Sequence, residues 1–308
     1  MIKQRDLAID RFRGLTIILM VIVNDLAEVE GIPAILHHAP HGRGIGLADL
    51  VSKFFLFAIA ATYAMSFNKR AAVNKGDAYF HFVSRYFAIM GIGALFGVFN
   101  AAWTGDTVWG TLHNIGLAGL MTLLVIRLPW WARAGAGVLV LGALQLTYRL
   151  APGLFVGEIN AVFEGVAGAA ALMLSTAMID LYNKGLKPFL IGAGAVTLAA
   201  FGPLLLPGIY ITKQNQVMFI LICVSAASAV YLAFGLLSKK IRPTQPGLLC
   251  WWGENPMLLY IFHLMLTGAA MALDPRPLWL AIPVNLLILS VLSLIAWGMH
   301  RKKLVVSL

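Results

Sequence analysis

Three histidines, His37, His38 and His41, stand within one short stretch, after Asn24 and Asp25 and before Asp49 and Lys53. Imidazole is the usual side chain for moving protons near neutral pH. A carboxamide such as Asn24 donates hydrogen bonds, and a carboxylate such as Asp49 accepts them. Together these types suit proton transfer at a polar site. An imidazole can take a proton as a base, and an amide can donate to a developing negative charge, but residue type and spacing name no reaction. The same residues have plainer uses. Loop histidines are usually solvated, and Asp49 could cap a helix or pair with Lys53 four residues on. The three histidines could also hold a metal, but no fourth ligand is evident and no metal is expected. Cys223 and Cys250 lie in or beside apolar segments with no CxxC, so neither a disulfide framework nor a zinc site is expected.

Other ionisable residues interrupt apolar sequence: Glu158, Glu164, Lys213 and His263. Charged or titratable groups inside a bilayer are costly, so they are functional candidates that line a cavity or pair with one another. Asp10, Arg11 and Arg13 cluster before the first apolar run. Arg11 and Arg13 can anchor a helix on the cytoplasmic side, or can meet a phosphorylated ligand there. No Walker A sequence and no GxGxxG after a strand is present, so no standard nucleotide fold is expected.

The elements that must carry these groups are membrane helices. The chain has 308 residues, 60% hydrophobic and 12% charged, with mean hydropathy +0.84. A soluble chain carries about 25% charged residues. The expected fold is all-α, a polytopic integral membrane bundle of about ten transmembrane helices, forming a single domain over 1–308. The spans read as Leu15–Leu26, Leu47–Phe67, Phe80–Phe99, Gly110–Ile126, Trp130–Thr147, Ile159–Leu181, Pro188–Leu206, Val217–Leu237, Leu248–Leu273 and Leu278–Met299. The first continues back through Leu7–Gly14, lacks a small-residue cleavage site and reads as a retained helix. Eighteen of the 23 Lys and Arg fall at alternate span ends, beginning with Lys3 and finishing with Lys303. The other five are Arg43, Lys53, Arg149, Lys213 and Arg276. The positive-inside rule then puts both termini in the cytoplasm, and it accounts for the net charge of +10 without nucleic acid. On that topology Asn24, the histidine loop, Asp49, Glu158, Glu164, Lys213 and His263 share the outer depth, which points to a polar cavity opening outward. A helix rise of about 1.5 Å per residue puts His263 about 22 Å from the inner end of its span.

The first 70 residues resemble the catalytic domain of the heparan-α-glucosaminide N-acetyltransferase family. The resemblance is carried by "AIDRFRGLTIILMVIVN", "HHA" and "LADLVSKFFLFAIAATYAMSF". Weaker echoes follow in family order, "ITKQNQVMF" through Lys213 and "GENPMLLYIFHLML" through Gly253, Asn255, Tyr260 and His263. The resemblance implies acetyl transfer from cytoplasmic acetyl-CoA to an amino sugar or glycan on the far side of the membrane. It implies His38 as the catalytic histidine, with His37 as the alternative, and Asn24 and Asp49 beside it. Arg11, Arg13, Lys213, Asn255 and His263 become candidates for binding acetyl-CoA. The chain departs from the family pattern in places. Ser52 and Lys53 stand where the family has Phe-Pro, and His113 and Asn114 where it has Gln-Arg. His38 is one residue further from Asp49, and no tryptophan follows Lys213.

The expected function is therefore an acetyl-CoA-dependent transmembrane acyltransferase, with His38 as general base or as acyl carrier. Its partners are acetyl-CoA, a sugar or glycan acceptor and the bilayer. A homodimer would suit the family, and a bacterial inner membrane is the expected location. The rival is a transporter or flippase of a small polar or lipid-linked solute. No inverted repeat and no pair of Gly/Pro-broken spans at matching positions points to it.

Overall fold

Asn255 and Pro256 divide the ninth expected span into two helices. The chain is all-helical in its computed structural model, which describes residues 7–26, 29–39, 44–104, 108–207, 209–212, 215–240, 247–271, 273 and 276–305. The α-helices among them are α1 Leu7–Leu26, α2 Leu47–Ala71, α3 Lys75–Thr104, α4 Thr111–Val125, α5 Trp130–Leu150, α6 Gly157–Lys184, α7 Leu186–Phe201, α8 Gln216–Lys240, α9 Leu248–Glu254, α10 Pro256–Met271 and α11 Leu278–Arg301. Nine of the expected spans fall on one helix each. The ninth, expected as unbroken from Leu248 to Leu273, is α9 followed by α10. Its divide has a local cause. Proline disfavours helical geometry in the residue before it, and Asn255 takes φ −131°, ψ 56°. Pro256 also has no N–H to donate, so it suits only the first turn of the new helix.

Among the described residues, six helices are long and apolar enough to cross a membrane: Leu47–Ala71, Lys75–Val98, Gly157–Lys184, Leu186–Leu205, Gln216–Ser238 and Leu278–Arg301. Thr111–Val125 and Pro256–Ala270 are apolar but shorter. Large apolar side chains such as Leu124, Leu139, Leu198, Leu287 and Leu294 point outward. In water such a surface would be a liability, whereas in hydrocarbon it costs nothing.

The helices pack as two compact units. The first is built from both ends of the chain, up to Ala58 and from Ala227 onward. Its centre is Phe12 of α1, fully buried with its ring 6.1 Å from Phe54, 5.6 Å from Phe57 and 5.7 Å from Tyr231. The crossing of α1 with α9 is closer than side chains allow. A Cβ on Gly14 would lie 1.9 Å from the Leu249 carbonyl oxygen, and one on Gly253 would lie 1.8 Å from that of Asp10. Small residues permit such backbone contact between membrane helices. Trp252, wholly buried beside this crossing, donates from Nε1 to Ser293 Oγ of α11 at 3.2 Å.

The second unit is the continuous segment Ile59–Ala226. Its centre is α6, buried from Ala167 to Ile179 along a run rich in alanine, with α4, α5 and α7 packed on it. Tyr63 donates its hydroxyl to the Gly119 carbonyl at 2.8 Å. Arg133 of α5, buried, is ion-paired with Asp180 of α6.

Candidate active site

The first turn of α2 places Asp49 three residues after Gly46, whose backbone N–H it accepts at 2.9 Å through Oδ2. This is the reach-back half of a capping box, and it holds a carboxylate at the positive end of a helix. The same Oδ2 accepts the backbone N–H of Ala39 at 3.0 Å, and Oδ1 lies 2.6 Å from Nδ1 of His38. One carboxylate thus ties the histidine loop to α2 by three bonds. Only glycine fits at position 46, because a Cβ there would stand 1.9 Å from the His37 carbonyl oxygen.

A carboxylate can only accept, so Nδ1 of His38 carries a proton and donates it to Asp49. With the ring neutral, the lone pair then sits on Nε2. Asp49 is buried, its side chain 3% exposed, whereas that of His38 is 61% exposed. A largely exposed imidazole backed by a buried carboxylate is an arrangement suited to abstracting a proton from an incoming nucleophile. This carboxylate holds His38 directly.

Asn24 lies in the last turn of α1, partly exposed. Its neighbour Asp25 is buried in a network that sequence reasoning missed. Asp25 accepts Arg276 Nη1 at 3.1 Å on Oδ1 and Asn285 Nδ2 at 3.0 Å on Oδ2, while its backbone carbonyl accepts Arg276 Nη2 at 3.1 Å. The signal for it was Arg276 itself, one of the five cations that break the positive-inside pattern. Its side chain is buried and ion-paired instead of solvated.

The opposite end of α1 carries Arg11 and Arg13. The rise of about 1.5 Å per residue puts Arg11 about 20 Å along the helix from Asn24. Arg11 donates from Nη1 to Ser238 Oγ at 2.8 Å, and Arg13 lies 3.9 Å from the buried Asp10. Asn255 is brought to this same end. Gly253 abuts the Asp10 backbone, and Asn255 Nδ2 donates to the Leu304 carbonyl at 2.9 Å. Beside it, Nδ1 of His300 lies 3.1 Å from each Glu254 oxygen. The structure thus gathers Arg11, Arg13 and Asn255, and sets them apart from Asn24.

His263 lies on the buried face of α10 with Tyr260 and Thr267, only about 11 Å along it from Pro256 at about 1.5 Å per residue, so the divide at Asn255 removes the basis for its expected outer depth. Among the described residues, neither ring nitrogen of His263 has a hydrogen-bond partner, nor does the Thr267 hydroxyl. The Tyr260 ring centre is 5.6 Å from that of His263. Lys213 and His41 lie outside the described residues. Among the described residues, no three His, Cys, Asp or Glu side chains gather as metal ligands.

His113 and Asn114, the departures at the start of α4, hold their own helix end in the second unit. His113 Nδ1 accepts the Gly110 N–H at 3.1 Å, and Asn114 Oδ1 accepts Trp109 Nε1 at 2.6 Å. The rings of Trp109 and His113 stack with centres 4.9 Å apart.

An apolar, all-helical chain with helices long enough to cross a bilayer marks an integral membrane protein, one of whose helices starts at an imidazole–carboxylate pair. The model of the catalytic domain of heparan-alpha-glucosaminide N-acetyltransferase matches residues 5–158, half of the chain, and the chain belongs to that family. A search of the curated proteins finds no match. Arg11, Arg13, Asn24, His38 and Asp49 lie inside the matched stretch, and Lys213, Asn255 and His263 lie beyond it. The family implies an acetyltransferase and lends the transporter reading no support.

Proposed function

We propose that this chain transfers acetyl groups across a membrane, from acetyl-CoA entering at the cytoplasmic face to an amino group of a sugar or glycan on the far side. The observation that carries the proposal is the His38–Asp49 pair, held at 2.6 Å within the family-matched stretch. In this reading about ten helices cross the bilayer with both termini in the cytoplasm. The membrane is a bacterial inner membrane, and two copies of the chain associate.

Nε2 of His38 takes a proton from the acceptor nitrogen as that nitrogen attacks the thioester carbon. The carbonyl oxygen becomes an oxyanion, and the Asn24 amide donates to it. The C–S bond then breaks, the acetyl group stays on nitrogen, and the proton held by His38 passes to the departing thiolate. The products are the N-acetyl sugar and CoA thiol, with no proton gained or lost. Asp49 holds the ring in the required tautomer and stabilises the imidazolium while it exists. The same pair serves a two-step route, in which His38 Nε2 first takes the acetyl group and then passes it on. Arg11 and Arg13 suit the phosphates of CoA in charge, and Asn255 and His263 complete the donor site in this reading.

The test is release of CoA thiol from acetyl-CoA by the detergent-purified protein, with and without glucosamine. We expect glucosamine-stimulated release that falls about 10²–10⁴-fold in His38→Ala, the range attributed to a positioned general base. Failure of the wild-type chain to bind acetyl-CoA sinks the proposal. Undiminished release in His38→Ala removes His38 from it.

A further inference from the structure

The outer end of α11 presents one stripe, Leu278, Ala281 and Asn285, at spacings of three and four residues. Ala281 is buried in a cluster with Leu26, Val29 and Ile32, against which Leu278, Leu36 and Ile22 also pack. Leu36 is the last residue of the 3-10 turn Ala34–Leu36 that leads directly into His37 and His38. The stripe therefore supports the approach to the histidine loop. One turn further on, Asn285 donates to Asp25 in the last turn of α1.

Asp25 is fully occupied. Both carboxylate oxygens and the backbone carbonyl accept bonds, and the carboxylate has no exposure to solvent. Its direction fixes the rotation of that helix turn. Successive residues of an α-helix differ by about 100° around the axis at 3.6 residues per turn. With Asp25 locked toward Asn285 and Arg276, Asn24 is turned away from them, onto a partly exposed face. Breaking the lock lets the turn rotate or fray, because the last carbonyls of a helix have no partners within it.

We infer that Asn285 and Arg276 are positioning residues, which hold Asn24 of α1 in register with the His38–Asp49 pair by fixing both to the outer end of α11. The inference rests on the acetyltransferase reading given above. It assigns Asn285 and Arg276 no contact with substrate. They act through Asn24.

The test is a double-mutant cycle on the full-length protein, with glucosamine as acceptor. Asn285→Ala leaves the Asp25–Arg276 pair in place, so it is the milder probe, with Arg276→Lys as the second. We expect each to lower kcat about 10–100-fold with KM for acetyl-CoA little changed, the scale reached when a reacting group is misplaced by about an ångström. The decisive comparison is Asn24→Ala against Asn24→Ala/Asn285→Ala. Residues that act through one another are not additive, so the double variant should be no slower than Asn24→Ala alone. Multiplying losses in the double variant, or losses that follow the melting temperature and leave kcat of the folded fraction intact, would overturn the positioning role and leave acetyl transfer standing. A wild-type chain that releases no CoA thiol overturns the acetyltransferase reading itself, and the positioning role with it.

Discussion

His38 depends on Asp49 for more than charge. The carboxylate accepts from the imidazole and from two backbone N–H groups, of Ala39 and Gly46. Asparagine in its place keeps an acceptor oxygen but adds an NH2 that no longer accepts. If that NH2 faces Nδ1, it drives the proton to Nε2, the atom that acts as base in our reading. We therefore expect Asp49→Asn to cut acetyl transfer about 10²–10⁴-fold. CoA thiol release measures the loss, and binding of acetyl-CoA should survive it, because in our reading the donor site lies toward the other end of α1. The sequence carries His38, Asn24 and Asp49 only through the family pattern, since loop histidines and first-turn carboxylates are common in any fold. The bond between His38 and Asp49 is visible only in the geometry. Arg276 was legible as an exception to a charge pattern, but Asp25, which accepts from it, stands 251 residues away and is 260 from its other donor Asn285, spacings no local rule links.

Helix positions were readable from apolar length, and nine spans of ten fall on single helices. The ninth failed because hydropathy does not register a proline in an apolar run, whereas backbone geometry does. That divide has a use. It ends α9 as a helix of seven residues, short enough to cross α1 at the paired glycines Gly14 and Gly253. The contact is backbone to backbone, so a methyl group has nowhere to go. Gly253→Ala should force α1 and α9 apart, at a cost of about 1–3 kcal/mol or more, the usual range for overpacking. Thermal unfolding in detergent measures it. A melting temperature unchanged from the wild type would mean that the crossing is looser than described. An alanine at Gly194, where a Cβ would meet nothing, is the control.

The orientation of the whole molecule rests on charge counting and is open to direct labelling. Cys223 and Cys250 are both buried, which lowers the background for thiol reagents. Val73, between α2 and α3, and Leu154, between α5 and α6, are both exposed. On the proposed topology a membrane-impermeant maleimide should label Leu154→Cys in intact cells, and Val73→Cys only after permeabilisation. The reverse result would invert the orientation. Labelling of both from outside would break the alternation. The unit that holds His38, Asp49 and Asn24 is discontinuous, closed by helices from the far end of the chain, while residues 59–226 form a unit of their own between its two parts. This sets an order of manufacture. Chains are made from the N-terminus at about 5–20 residues per second, and continuous segments fold first. Asp25 is thus synthesised some 250 residues before Arg276 can neutralise it. Until then α1 carries an unmatched buried-type carboxylate at its end, which disfavours its final seating. In our reading the end that holds His38 and Asn24 is completed only when α11 emerges, so a ribosome that stalls before Arg276 leaves a chain that can occupy the membrane but has no assembled chemistry to misdirect.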